Sequence, residues 1–320
     1  MKKQFIFIFL LMCGLFYPVE AVAMKTQELF LTEEGKFQEP LVQLLQLSGL
    51  YDPQDSLKDV VAKTQQHWIA VRAGIGGKER TDLQDSDSQQ NQVAAVEALA
   101  RQMGLLDTKK PSLTHYDYGV CLGSFLDGVR MRLAMLVDLW KNGVHFDTLV
   151  FLTGERDLRS GAGQIESLDQ LCNPSKSPLP FKKGWTLPEG APYATEYDMA
   201  RLVWEQVELP AEMAKALTDK VIFVNALRGD KPRVTTSDTY ITWLKQHLPK
   251  PGTIVAPSHP LVWAHQDLVG KNILGESFTL DTIAPAVDEK LLTQYRTSLV
   301  SLVHDTVAKC LYEINDKSAP

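Results

Sequence analysis

The chain reads as a three-layer α/β/α, Rossmann-like fold with a mostly parallel sheet, and three observations predict it. Short apolar runs (YGVCL, TLVFL, VIFVN, TIVAP) recur between Tyr118 and Pro257. Runs without polar alternation belong to strands covered on both faces. Amphipathic stretches alternate with these runs, as layered α/β architecture requires. The unit from Tyr118 to Gly154 reads strand–helix–strand in about 35 residues, the size of a parallel crossover.

The first 23 residues carry the pattern of a secretory signal peptide. Lys2 and Lys3 form a basic start, Phe5 to Tyr17 an apolar run, and Pro18 and Glu20 a break before the small–x–small triplet Ala21-Val22-Ala23. The run is shorter than the ~20 residues needed to span hydrocarbon, and Met12 precedes Cys13 where a lipoprotein signal has a small residue. A periplasmic or secreted location is therefore expected. Cleavage removes Lys2, Lys3 and Glu20, which moves the formal net charge from -6 to -7. That acidity weighs against broad nucleic-acid binding. No later segment is apolar for long enough to cross a membrane.

Residues 24–110 read as a mostly helical extension packed on the core. LVQLLQLSGL predicts a helix ending at Gly49, SLKDVVAKTQQHW a second, and WIAVRAG a strand. In QNQVAAVEALARQMGLL, the spacing of Val93, Val96, Leu99 and Met103 predicts an amphipathic helix.

Residues 111–286 hold the α/β domain. Tyr118–Leu122 predicts a buried strand, DGVRMRLAMLVDLWK a helix stopped by Asn142-Gly143, and TLVFLTGER the next strand with its exit. Residues 159–194 are dense in proline and glycine and read as one long loop, either a lid over a site beside the sheet or surface decoration. A helix over Glu196–Gln206 follows, then strand KVIFVNA, helix TYITWLKQHL, strand TIVAPSH, a short helix in PLVWAHQDLVG and strand ESFTLDT. Residues 287–320 predict one long terminal helix and a tail. After cleavage Cys121, Cys172 and Cys310 remain. Cys121 reads as a buried structural thiol. Cys172 and Cys310 are placed in peripheral segments and are the candidates for any disulfide, with no pairing fixed by sequence.

Ligands of open α/β sheets lie beyond the carboxyl ends of the strands. The strand exits carry Gly123-Ser124 with Arg130 and Arg132 beyond, Thr153-Gly154-Glu155-Arg156, Asn225 with Arg228 and Arg233 beyond, and Ser258-His259. Guanidinium groups suit phosphate or carboxylate through paired hydrogen bonds, so Arg130, Arg132, Arg156 and Arg233 are candidate anion ligands. Glu155, Glu196 and His259 are candidate proton carriers. For Glu196 and for Thr235-Thr236-Ser237-Asp238 the competing reading is helix capping. No phosphate-loop or dinucleotide motif occurs, and no HExxH or close Cys/His cluster marks a metal. The cofactor is left unknown.

The pieces YDYGVCLGS, DGVRMRLAMLVDLWKNG, TLVFLTGERDL, TEYDMARLVWEQ, PRVTTSDTYITW and TIVAPSHPLVWAHQ, in that order over roughly residues 115–282, resemble the SanA/YdcF-like bacterial envelope family, a domain of unknown function. The resemblance implies a Rossmann-like domain with a polar pocket across its strand ends. It points to Gly123, Arg130, Glu155, Glu196, Arg233, Asp238 and His259, with Ser258 and Thr236 as further contacts. The chain departs from the family pattern in its first 110 residues, its long loop, its PRVTTSDTY segment and its SHPLVWAHQ segment. The functional expectation is an exported, envelope-associated protein acting on a small or lipid-linked anionic, phosphate-containing ligand. The alternatives are a noncatalytic envelope binding or scaffold protein and a secreted host-interacting protein.

Overall fold

The computed structural model describes residues 25–69 and 82–318. The leader lies outside the described residues, as does the expected WIAVRAG strand from residue 70 onward. Its Trp68 closes the helix before it.

The described chain opens with α1 (Glu39–Leu47), α2 (Leu57–His67), α3 (Asp87–Gln90) and α4 (Val93–Gln102). Ser56 starts α2 by a reciprocal box with Asp59, which satisfies two otherwise orphan N–H donors. Next come β1 (His115–Leu122), α5 (Leu126–Lys141), β2 (His145–Gly154), α6 (Leu168–Leu171), α7 (Glu196–Gln206), α8 (Ala211–Ala216) and β3 (Val221–Ala226). The chain continues through α9 (Thr236–His247), β4 (Gly252–Pro257), α10 (Trp263–Leu274), β5 (Phe278–Ile283), α11 (Glu289–Tyr295) and α12 (Leu299–Ser318). After α5 the chain turns at Gly143, whose φ of 84° lies in the left-handed region that glycine adopts without steric cost.

The strands form one sheet in the order β3-β2-β1-β4-β5, every neighbouring pair parallel. The expected mixed α/β fold with a parallel central sheet is therefore present. The order reverses between β1 and β4, so the topological switch point lies at the carboxyl ends of those two strands. One face packs Phe151 and Cys121 against Leu133 and Leu136 of α5 and Met199 and Val203 of α7. The other packs Val120, Leu152 and Ile254 against Tyr240 and Trp243 of α9 and Leu274 of α10.

A further helical layer lies beyond α10. Leu44 and Leu45 of α1, Val60 of α2, Val96 of α4 and Val300, Val303 and Val307 of α12 share one apolar cluster with Trp263 and Leu268 of α10. The amino-terminal extension and the terminal helix therefore build a single layer. Sequence spacing predicts one long helix at this end; the long helix is present as α12, of 20 residues, but a separate α11 of 7 residues precedes it. Asp85 accepts hydrogen bonds from the backbone N–H groups of Val300 (2.9 Å) and Ser301 (2.8 Å), and so caps α12 from across the chain. Cys310 is also not peripheral, because the face of α12 that carries it is fully buried. Among the described residues no disulfide joins Cys121, Cys172 and Cys310, and of the three Cys172 alone is exposed. Among the described residues no helix is long and apolar enough to cross a membrane.

Candidate functional site

Parallel strands bring all the exits to one edge of the sheet, and α7 begins directly above the exit of β1. Thr195 caps α7 in a reciprocal box with Asp198. The adjacent residue, Glu196, sends its side chain down onto the turn after β1. That carboxyl lies against the Cα of Gly123. A Cβ at position 123 would come within 2.6 Å of Glu196 Cδ, inside any permitted contact. The missing side chain of Gly123 is thus what makes room for the carboxyl.

Arg156 holds this group from the exit of β2. Its Nε donates to Glu196 Oε1 at 3.3 Å. Its two terminal nitrogens grip Glu166 as a fork, at 2.7 and 3.0 Å. They also donate to the carbonyls of Ser124 (2.9 Å) and Asp157 (3.3 Å). A guanidinium has five N–H donors, and these contacts occupy them all. The ring of Phe125 lies 4.8 Å beneath. Glu166 is fully buried and also accepts the Arg159 N–H at 2.9 Å. Burial pushes Glu196 toward its protonated form more strongly than Arg156 opposes this, and the Glu166 charge adds to the same direction. The carboxylates around Arg156 hold its own guanidinium still more firmly protonated, against the effect of burial.

A second chain of contacts crosses the switch point. Arg132 donates through Nη1 to the carbonyls of Leu122 (2.8 Å) and Gly123 (2.5 Å), and through Nη2 to Gln266 Oε1 at 3.4 Å. Ser258 Oγ donates to the same oxygen at 2.5 Å. The ends of β1 and β4 are thereby joined through α5 and α10. Just beyond, His259 Nδ1 meets the Pro260 carbonyl. Leu261 follows with φ 72°, a left-handed backbone that costs a leucine energy and recurs at functional turns.

The structure therefore links Gly123, Arg132, Arg156, Glu196 and Ser258 in contact with one another or through one intermediary. Arg130, Glu155, Asp238 and Thr236 make their contacts elsewhere. Arg130 is buried on α5, where it donates to the carbonyls of Gln170 (3.1 Å), Leu171 (2.6 Å) and Lys176 (3.5 Å) and anchors the long 159–194 segment. Glu155 turns toward the exit of β3 and accepts the Arg228 N–H at 2.9 Å. Asp238 accepts from the N–H and hydroxyl of Thr235, at 2.9 and 2.8 Å, and from Lys231. Burial raises its pKa, but Lys231 and Thr235 outweigh that and hold it below the usual range. Thr236 opens α9 and its carbonyl accepts from Thr239 at 2.8 Å. Arg233 precedes that helix, half-buried.

Sequence reasoning missed Glu166 and Gln266. Glu166 sits in the irregular segment QIESLD, where no periodicity sets it apart. Gln266 carried a faint signal as a polar residue among Trp263, Ala264, Leu268 and Val269. Cys121 makes one weak contact, to the Val129 carbonyl at 3.8 Å, and burial pushes its thiol up to about 12, as befits a structural cysteine. A hollow of about 270 Å³ lies elsewhere, between α4 and α11. Among the described residues no group of three or more His, Cys, Asp or Glu side chains is placed to hold a metal. The chain matches no protein-family model, no curated protein and no solved structure.

Proposed function

We propose that this chain is an exported envelope protein that binds a small polar ligand at the strand ends, with Glu196 as the group that exchanges a proton with it. One observation carries the reading: a carboxyl is held in a nearly dry position against the backbone of the β1 exit. Burial raises its affinity for a proton, and Arg156 holds it in place. A buried ion network of this kind adds little to the stability of a sheet. A displaced carboxyl pKa at a strand exit is the arrangement that general acids use. The SanA/YdcF-like resemblance and the leader pattern support an envelope setting, and a mature amino terminus at Met24 in fractionated cells is the result expected.

The test is a panel of small and lipid-linked phosphate esters, carboxylates and neutral polyols offered to the mature protein. Turnover of one of them, reduced about 100-fold or more in folded Glu196→Gln, is the expected result. Turnover that survives this substitution would remove Glu196 from the chemistry.

A noncatalytic binding or scaffold role is the second reading, and a specific observation favours it. The guanidinium groups of Arg130, Arg132 and Arg156 donate to main-chain carbonyls and carboxylates of the protein itself. Anion binding by these groups would first have to break those contacts. Saturable binding by the wild type without turnover is the result this second reading expects.

A further inference from the structure

We propose that Glu166 is a positioning residue, whose two carboxylate oxygens hold both terminal nitrogens of Arg156 so that Glu196 is left with the Nε contact alone. This rests on the reading of Glu196 as the proton-exchanging group. The geometry is specific. Both Glu166 oxygens lie at 3.0 Å or less from Arg156, whereas Glu196 is reached at 3.3 Å. Glu166 has no exposure, and its Oε2 also receives the Arg159 N–H, so it cannot swing away without breaking the turn that carries it.

Two consequences follow from elementary electrostatics. Glu166 directs the fork of Arg156 away from Glu196, weakening the contact that would otherwise favour the ionised form. Its own negative charge then adds a repulsion that favours the protonated form. Around Glu196 stand Arg156 from the β2 exit, Arg132 from α5, Cys121 from β1, and Glu166 with Tyr193 behind it from the long segment. Of these groups Glu166 alone is an anion fixed within one guanidinium of Glu196. The long segment therefore sets the acidity of the site.

The experiment is an infrared or ¹³C titration of the Glu196 carboxyl in the full mature chain, with Glu196→Gln identifying the signal and no ligand present. In Glu166→Gln the Glu196 dissociation constant is expected to rise about tenfold, the equivalent of one pKa unit. An unchanged or smaller constant in the folded variant, even with the long segment loosened to proteases, would show that Glu166 is only a tether and overturn the proposal. If Glu166→Gln does not fold, the neutral pair Arg156→Gln/Glu166→Gln takes its place. Its reference is then Arg156→Gln alone, against which the double variant should be the stronger Glu196 acid by about tenfold, because the Glu166 charge is gone. A folded double variant no more acidic than Arg156→Gln would overturn the coupling. The titration needs no substrate, so a protein without turnover still reports on Glu166. Conversely, loss of turnover in Glu196→Gln beside an unmoved titration in Glu166→Gln would sink the Glu166 role alone.

Discussion

Replacing Gly123 with alanine tests whether the Glu196 carboxyl sits where the structure puts it. The added methyl would come within 2.6 Å of Glu196 Cδ and 2.9 Å of Oε1. Glu196 cannot simply rotate away, because Arg156 holds it and it is 8% exposed. Forcing a methyl into a packed site costs about 1–3 kcal/mol. Opposing this, Gly123 is absent from the positive-φ residues, so alanine there gains about 0.4–1 kcal/mol by restricting the unfolded chain. A net loss of about 1–2 kcal/mol is expected in urea denaturation, with an unchanged slope. The decisive measurement is the double-mutant cycle with Glu196→Ala. Without the carboxyl the clash is gone, and Gly123→Ala should become neutral or stabilising by up to about 1 kcal/mol. An equal penalty in both backgrounds would mean that the methyl meets something other than Glu196, and the site as described would be wrong.

Other perturbations test other parts of the structure. Arg130→Met removes a buried guanidinium from the carbonyls of Gln170, Leu171 and Lys176; it should cost about 3 kcal/mol and speed limited proteolysis within residues 159–194. His304 is stacked on Trp68 at 4.4 Å, and burial lowers its pKa to about 4. Because the unfolded chain takes up this proton first, at about 6.5, stability should fall as pH drops from about 6.5 to 4, by roughly 3 kcal/mol in all. His304→Gln should flatten that part of the pH profile in chemical denaturation, and an unchanged slope would contradict the burial. A maleimide should label Cys172 in the native mature chain and reach Cys121 and Cys310 only after unfolding, a difference read by mass spectrometry.

The α/β core was legible because its signals are local. KVIFVNA and TIVAPSH are apolar without alternation, and the helix over Glu196–Gln206 is bounded by Thr195 and by the loss of its pattern at Val207. The break between α11 and α12 was not legible, since the cap comes from Asp85, more than 200 residues away. The site divides in the same way. Gly123, Arg156, Glu196 and Ser258 were found because each sits at a strand exit or helix start. Glu166 was invisible because nothing in its own segment demands a carboxylate; the demand comes from Arg156. Arg130 and Arg132 differ by two positions on one helix and so face different surroundings. One anchors the long segment and the other caps β1, a division that spacing hints at but cannot assign.

The layer shared by α1, α2, α4 and α12 bears on the order of folding. Thr26 donates to Asp267, Ser48 meets His304, and Gln65 donates to the carbonyl of Ala308. Each contact closes a loop of more than 240 residues, and chains that depend on such distant partners fold slowly. The earliest-made helices thus cannot complete their apolar layer until the last helix has been synthesised. That ordering makes the last helix to leave the ribosome the one that closes the layer, so its removal should leave the amino-terminal helices with their apolar faces exposed.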